Sequence, residues 1–113
     1  MEHKWYLAGP MTGLPEFNFP AFEAAKLDLE KIGFDILSPH TIDHGEVPGE
    51  RGKLPYHVYL RAGFKMLLEC RGIIMLPDWT KSRGAVAEFN LAMSLGMDIM
   101  QYDPETGGLQ VLA

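Results

Sequence analysis

A single carboxylate stands out in the stretch from Leu76 to Ala92, LPDWTKSRGAVAEFNLA, because Glu88 lies inside an alanine-rich helical pattern that follows a basic turn. On a wheel of 100° per residue Glu88 falls at the edge of the apolar face, with space left beside it by two alanines. Glu88 is therefore either a solvated charge or a carboxylate held in a pocket and available for chemistry. The residues that the wheel places on the sheet-packing face are Ala85, Val86, Phe89, Ala92, Met93 and Gly96.

The turn before this helix carries two positive charges and a hydroxyl, from Lys81, Ser82 and Arg83, followed by Gly84. Free N–H groups and the helix dipole already favour an anion at a helix N-terminus. Basic side chains at that end oppose the dipole, so helix stability does not explain them. We expect a phosphate-like anion at the backbone N–H groups of residues 82–84, the alternative being ordinary solvated surface charge.

Two further segments are candidates for ligand contact, and each has a purely structural alternative. Asp78 and Trp79 follow an apolar run: an acidic residue there is a common turn former, and the indole either stacks on a base or anchors the turn. The first loop lacks the spacing of known phosphate-binding loops, but its tight turn would let a ligand approach the backbone. Its residues are Gly9, Pro10, Met11, Thr12 and Gly13.

The elements that must position these residues alternate between short apolar runs and helical spacing. Strands are predicted near residues 5–8, 34–37, 72–76 and 98–102, and helices near 20–32, 55–68 and 83–95, with Asn18 as an N-cap and a long loop over 38–54. Such alternation predicts a single α/β domain over residues 1–113, a flavodoxin-like three-layer sandwich. Its parallel sheet of four to five strands has the order 2-1-3-4. The ligand crevice then lies at the carboxyl ends of strands 1 and 3, where residues 9–13, 76–80 and 82–84 should meet.

Composition narrows the classes of function. The net charge of −5 argues against nucleic acid as a partner, and no apolar run is long enough for a membrane span, so no membrane partner is expected. Cys70 is the only cysteine, and the N-terminus lacks a signal pattern, which together favour a reducing cytoplasm. His40 and His44 lack partners at metal-ligand spacing, so neither a metal nor a cofactor is expected.

Three segments together, YLAGPMTG at residues 6–13, PDW at 77–79 and SRGAVAEFNLAMSLG at 82–96, resemble the nucleoside 2-deoxyribosyltransferase superfamily. The resemblance covers roughly residues 4–102 and is strongest to a small phage and bacterial branch. The superfamily also contains nucleoside 5′-monophosphate N-glycosidases. The resemblance implies that Glu88 is a nucleophile that attacks the anomeric carbon of a (deoxy)ribosyl group, and that the Tyr6 hydroxyl orients it. Ser82, where the family's nucleoside enzymes have Asp, implies a 5′-phosphate on the substrate.

Two departures from the family pattern bear on activity. The family's general acid, an Asp before the third strand, falls at Gly63, so Asp78, His40 or His44 would have to protonate the leaving base. If the wild type binds nucleotide but releases no base, replacing Gly63 by Asp is expected to restore some turnover. The first loop also has Pro10 and Thr12 where the nucleotide hydrolases have Ser and Arg.

Three functions therefore remain open. The first is an N-glycosidase or (deoxy)ribosyl transferase acting on a nucleotide or nucleoside. The second is a catalytically weak nucleotide-binding module, and the third is an NAD-type glycohydrolase, for which the chain leaves little room. The resemblance also implies a homodimer or higher homo-oligomer, consistent with the apolar tail residues Leu109, Val111 and Leu112.

Overall fold

A five-stranded sheet forms the centre of the computed structural model, which describes residues 3–41 and 54–113. The strands are β1 (Lys4–Ala8), β2 (Asp35–Leu37), β3 (Gly72–Met75), β4 (Asp98–Asp103) and β5 (Gly108–Val111). Their order is β2-β1-β3-β4-β5. The first four strands are parallel, which confirms the predicted order, and β5 is antiparallel to β4.

Three α-helices cover the sheet: α1 (Phe19–Lys31), α2 (Tyr56–Leu68) and α3 (Arg83–Ser94). Short 3-10 turns precede or follow them at Pro15–Asn18, Pro39–Thr41 and Trp79–Lys81. The α/β, flavodoxin-like three-layer arrangement is therefore as predicted. None of the helices in the described ranges is long and apolar enough to cross a membrane.

The two faces of the sheet are buried by different helices because side chains alternate along each strand. Trp5 and Leu7 of β1 face α1, where they pack with Phe22, Ala25 and Leu29. We call this the α1 side of the sheet. The opposite face, the α2/α3 side, buries the alternate residues of the strands against α2 and α3: Tyr6, Ala8, Leu67, Ile73, Met75, Ala85, Ala92 and Ile99.

Two local features add to the predictions from sequence. Asn18 is at the N-cap position of α1, but it has a left-handed backbone (φ 60°) and its side chain makes no capping hydrogen bond. Its Nδ2 instead donates to the carbonyl of Pro10 at 2.9 Å, which ties the first loop to the start of α1. The C-terminal tail pairs with β4, and Leu109 packs against the α1-side core. Of the predicted long loop, residues 42–53, including His44, lie outside the described residues.

Candidate functional site

Glu88 lies on the buried face of α3 and not at its edge. The helix begins at an N-cap, Ser82, whose Oγ accepts the Ala85 N–H at 3.2 Å. Ala85, Glu88 and Ala92 then turn towards the sheet, and Glu88 is only 8% exposed. The helical wheel placed Met93 on the sheet-packing face, but Met93 is 49% exposed. The predicted face is therefore rotated relative to the observed one. Of the two interpretations of Glu88, the solvated charge is thus wrong.

A direct hydrogen bond joins the two residues that the resemblance singled out. The Tyr6 hydroxyl donates to Oε2 of Glu88 at 2.6 Å, and both groups are buried. Tyr6 reaches Glu88 because it is on the α2/α3 side of β1, the same side on which Ala85 and Ala92 of α3 pack. The short distance is typical of a charge-assisted O–H···O⁻ bond.

Gly63 of α2 lies against the hydrogen-bonded pair of Tyr6 and Glu88. A Cβ built on Gly63 would lie 2.9 Å from the Tyr6 hydroxyl oxygen and far inside the contact distance of Oε2 of Glu88. The carboxylate is therefore seated against the backbone of α2, in space that a side chain would need. A side chain at position 63 would need the Glu88 carboxylate to move, and the expectation that Gly63→Asp restores a general acid stays a prediction.

Burial changes the proton affinity of both partners. It raises the pKa of Glu88 from 4.5 to about 7, against the hydrogen bond from Tyr6, which lowers it. Burial also raises the pKa of Tyr6 well above its usual value, and the negative charge of Glu88 adds to that shift. Tyr6 thus remains a protonated donor at neutral pH, while Glu88 is poised between its carboxylate and its acid form.

At the basic turn on the same side of the sheet, one of the backbone N–H groups predicted to bind an anion already donates a hydrogen bond within the chain. The N–H of Ser82 donates to the Trp79 carbonyl at 3.0 Å, so an anion there would depend on the N–H groups of Arg83 and Gly84. The Arg83 guanidinium lies over the Tyr56 ring, 3.9 Å from its centroid.

Trp79 is a packed side chain. Its ring stacks on Phe89 at a centroid distance of 4.5 Å, and its Nε1 donates to Oε1 of Gln101 at 3.0 Å. Between the two roles open for the indole, these contacts favour the anchor: Trp79 fixes the turn after β3 to α3 and β4.

The first loop and Asp78 belong to the other side of the sheet. Gly9 closely approaches Leu76, since an added Cβ would lie 2.8 Å from the Leu76 Cβ. Met11 packs against the α1-side core, and Thr12 and Gly13 are exposed. Pro10 and Asp78 line a groove beside α1. The other residues of this groove are Leu14, Asn18, Ala21, Ala24, Ala25, Asp28, Leu76, Pro77, Tyr102 and Pro104.

The candidate acids are therefore separated from Glu88 by the sheet or lie outside the described residues. The Asp78 side chain is 67% exposed and 3.6 Å from the Lys81 ammonium. His40 contacts Ser38 through Nδ1 and Glu23 through Nε2, and its ring packs near Phe22. In the described part of the chain, no cluster of three or more His, Cys, Asp or Glu residues could hold a metal ion.

Two features of the site were missed from sequence. The close contact of Glu88 with Gly63 could have been suspected from the sequence. A glycine inside a helix lowers helix stability by about 1 kcal/mol relative to alanine, so its presence there needs a structural reason. The groove on the α1 side left no such signal, since it arises from how α1 and three loops come together.

Comparison with known proteins places the chain in a family. No curated protein matches its sequence. One family model matches residues 3–101. This range includes every element that carries Tyr6, Gly63 and Glu88, and it leaves out only the last residues of β4 and the whole of β5 from the sheet. Because this match spans most of the chain, the protein belongs to the family described as Domain of unknown function (DUF4406).

Proposed function

We propose that this protein cleaves or transfers the N-glycosidic bond of a nucleotide or nucleoside, with Glu88 as the nucleophile. The observation that carries the proposal is the buried pair in which the Tyr6 hydroxyl donates to Oε2 of Glu88 at 2.6 Å. A buried carboxylate with a fixed orientation is what retaining glycoside chemistry requires, because it stabilises positive charge on the sugar and then bonds to it.

The reaction proceeds in two balanced steps. A carboxylate oxygen of Glu88 attacks the anomeric carbon as the carbon–nitrogen bond breaks. The base leaves with the electron pair and takes up a proton, and an ester joins Glu88 to the sugar. Water, or the nitrogen of a second base, then attacks the same carbon and loses a proton. The ester bond breaks, and the carboxylate is regenerated.

Tyr6 contributes orientation and acidity. Its hydrogen bond holds the carboxylate in one rotamer and lowers the pKa of Glu88 against the effect of burial. Only the ionised form can attack, so base release should rise with pH through about 7. Loss of the hydroxyl leaves the carboxylate less oriented and harder to ionise.

Protonation of the leaving base is the step for which the described residues offer no evident acid, and this favours an alternative function. Gly63 offers no acid, and a side chain at that position would need the Glu88 carboxylate to move. Asp78 is exposed on the α1 side. A catalytically weak nucleotide-binding module, which keeps the carboxylate but releases no base, is therefore the second candidate.

The remaining parts of the proposal concern the environment of the protein. We place it in the cytoplasm, because its single cysteine suits a reducing compartment. We expect a homodimer or higher homo-oligomer, with neither nucleic acid nor membrane as a partner. The exposure of Val111 on the edge strand β5 and of Leu112 after it supports self-association.

The experiment is incubation with a panel of nucleosides and 5′-monophosphates, with the released base measured by chromatography. Glu88→Gln should lower release by at least about 10³-fold, and Tyr6→Phe by about 10²-fold through misorientation. Glu30→Gln, an exposed change on α1, is the control and should have no effect. Binding without base release by the wild type would support the binding module.

A further inference from the structure

The groove beside α1 has the dimensions of a ligand site. It encloses about 370 Å³ at the carboxyl ends of β1, β3 and β4. Small-molecule sites in proteins occupy about 300–1,000 Å³ and are mostly apolar with a few convergent polar groups. The groove has this composition, since alanines, prolines and leucines line most of it and the acidic residues Asp28 and Asp78 are also part of its lining.

Small side chains and a buried tyrosine shape the groove. Ala21, Ala24 and Ala25 line one wall, and their small side chains leave the space between α1 and the loop after β3 unfilled. On the floor, Tyr102 is buried and its hydroxyl donates to Oδ2 of Asp28 at 2.7 Å. Burial and this hydrogen bond raise the pKa of Tyr102 to about 12, so its hydroxyl remains a donor that orients Asp28.

The charge of the groove is of one sign. Asp28 lines it from α1 and Asp78 from the loop after β3, and none of the described residues that line it is basic. The nearest cation contact of Asp78 is Lys81, whose ammonium is 3.6 Å away on a highly exposed side chain and neutralises it little. Such a site repels phosphate and favours a positively charged group.

We propose that the groove binds a small organic cation, a protonated amine whose apolar body lies on Ala24 and Leu76 and whose charge is bound by Asp28 and Asp78. This site is separate from Glu88, which bonds to Tyr6 on the α2/α3 side of the sheet. The proposal therefore stands whether or not the protein cleaves nucleosides.

The test is a titration of the isotope-labelled protein followed by NMR, with 2-phenylethylammonium as the probe. Two probes of similar shape, 3-phenylpropan-1-ol and 3-phenylpropanoate, lack the positive charge. We expect saturable shifts at the amides of residues 21–28 with the ammonium only. Asp28→Asn should weaken its binding about fivefold or more, whereas Glu30→Gln removes the same charge from α1 outside the groove and should change it less than about twofold.

Asp78→Asn is the second variant, since Asp28 also contacts Tyr102 and its loss could disturb the floor. Equal binding of the alcohol and the ammonium would overturn the proposal, as would unchanged affinity in both variants. Nα-acetyl-lysine amide provides a further arm. If it bound more tightly than 2-phenylethylammonium, the groove would be assigned to a lysine of a protein partner and the small-molecule assignment would be wrong.

Discussion

Replacing Glu88 by Gln should stabilise the protein above neutral pH and leave its stability in acid almost unchanged. Burial raises the pKa of Glu88 from 4.5 to about 7. Between these values the unfolded chain has lost the proton while the folded chain still holds it. The free energy of unfolding of the wild type therefore falls as pH rises through this window, and glutamine, which does not ionise, removes the effect.

The magnitude follows from the two pKa values. Their difference, at about 1.36 kcal/mol for each pH unit, corresponds to roughly 3 kcal/mol once Glu88 is ionised in both states. Between about pH 5 and about pH 8.5 the wild type should lose roughly 2.5 kcal/mol through this residue. The side chain is 8% exposed, so solvent screening does not reduce the effect much.

Urea unfolding of the two proteins at both pH values, followed by tryptophan fluorescence, measures this difference. The comparison cancels the titration of all other groups, which the two proteins share. Glu30→Gln is the matched control, because Glu30 is exposed and pairs with Lys26 on the surface of α1. Its stability should follow the wild type. Parallel pH profiles for the wild type and Glu88→Gln would refute the reasoning, since a carboxylate in a buried seat cannot titrate like a solvated one.

Three other perturbations test neighbouring features. Gly63→Ala should destabilise the protein by about 1–3 kcal/mol, because the added Cβ meets the Glu88 carboxylate. Gly84→Ala is the control: its added Cβ makes only ordinary contacts, so it should be neutral or stabilising by up to about 1 kcal/mol. Equal losses of stability in urea unfolding would contradict this prediction. Ser82→Asp keeps an N-cap and should weaken binding of 5′-monophosphates far more than of nucleosides in calorimetry, and equal weakening would remove the anion site. Val111→Lys, on a side chain 71% exposed, should convert a dimer to a monomer in sedimentation, and a monomeric wild type at micromolar concentration would contradict the assembly.

The fold was predictable because its signals are local. Apolar runs and helical spacing alternate along the chain, which indicates a parallel sheet covered by helices, and the order of the first four strands is the one expected for a flavodoxin-like fold. The pairing of β5 was not predictable, since GLQV is too short for a periodic signal. Its place depends on the turn at Gly107 (φ 73°), which returns the chain along β4.

The site was predictable only in part, because its contacts join distant segments. The partnership of Tyr6 with Glu88 came from the family resemblance, and no spacing in the sequence indicates it. The helical-wheel prediction for α3 was also wrong in its rotation, because the rotation of the helix is set by tertiary contacts such as the stacking of Phe89 on Trp79. Which loops lie on which side of the sheet, and therefore which candidates can reach Glu88, is likewise decided only when the sheet and helices pack.

The most direct test of the central proposal is base release from 5′-monophosphates and nucleosides by the wild type and by Glu88→Gln, which is nearly isosteric but cannot form the glycosyl ester. The proposal predicts that the wild type releases base from at least one compound and that the variant binds the same compound but releases at least about 10³-fold less. Release by Glu88→Gln at the wild-type rate would contradict the assignment of Glu88 as the nucleophile.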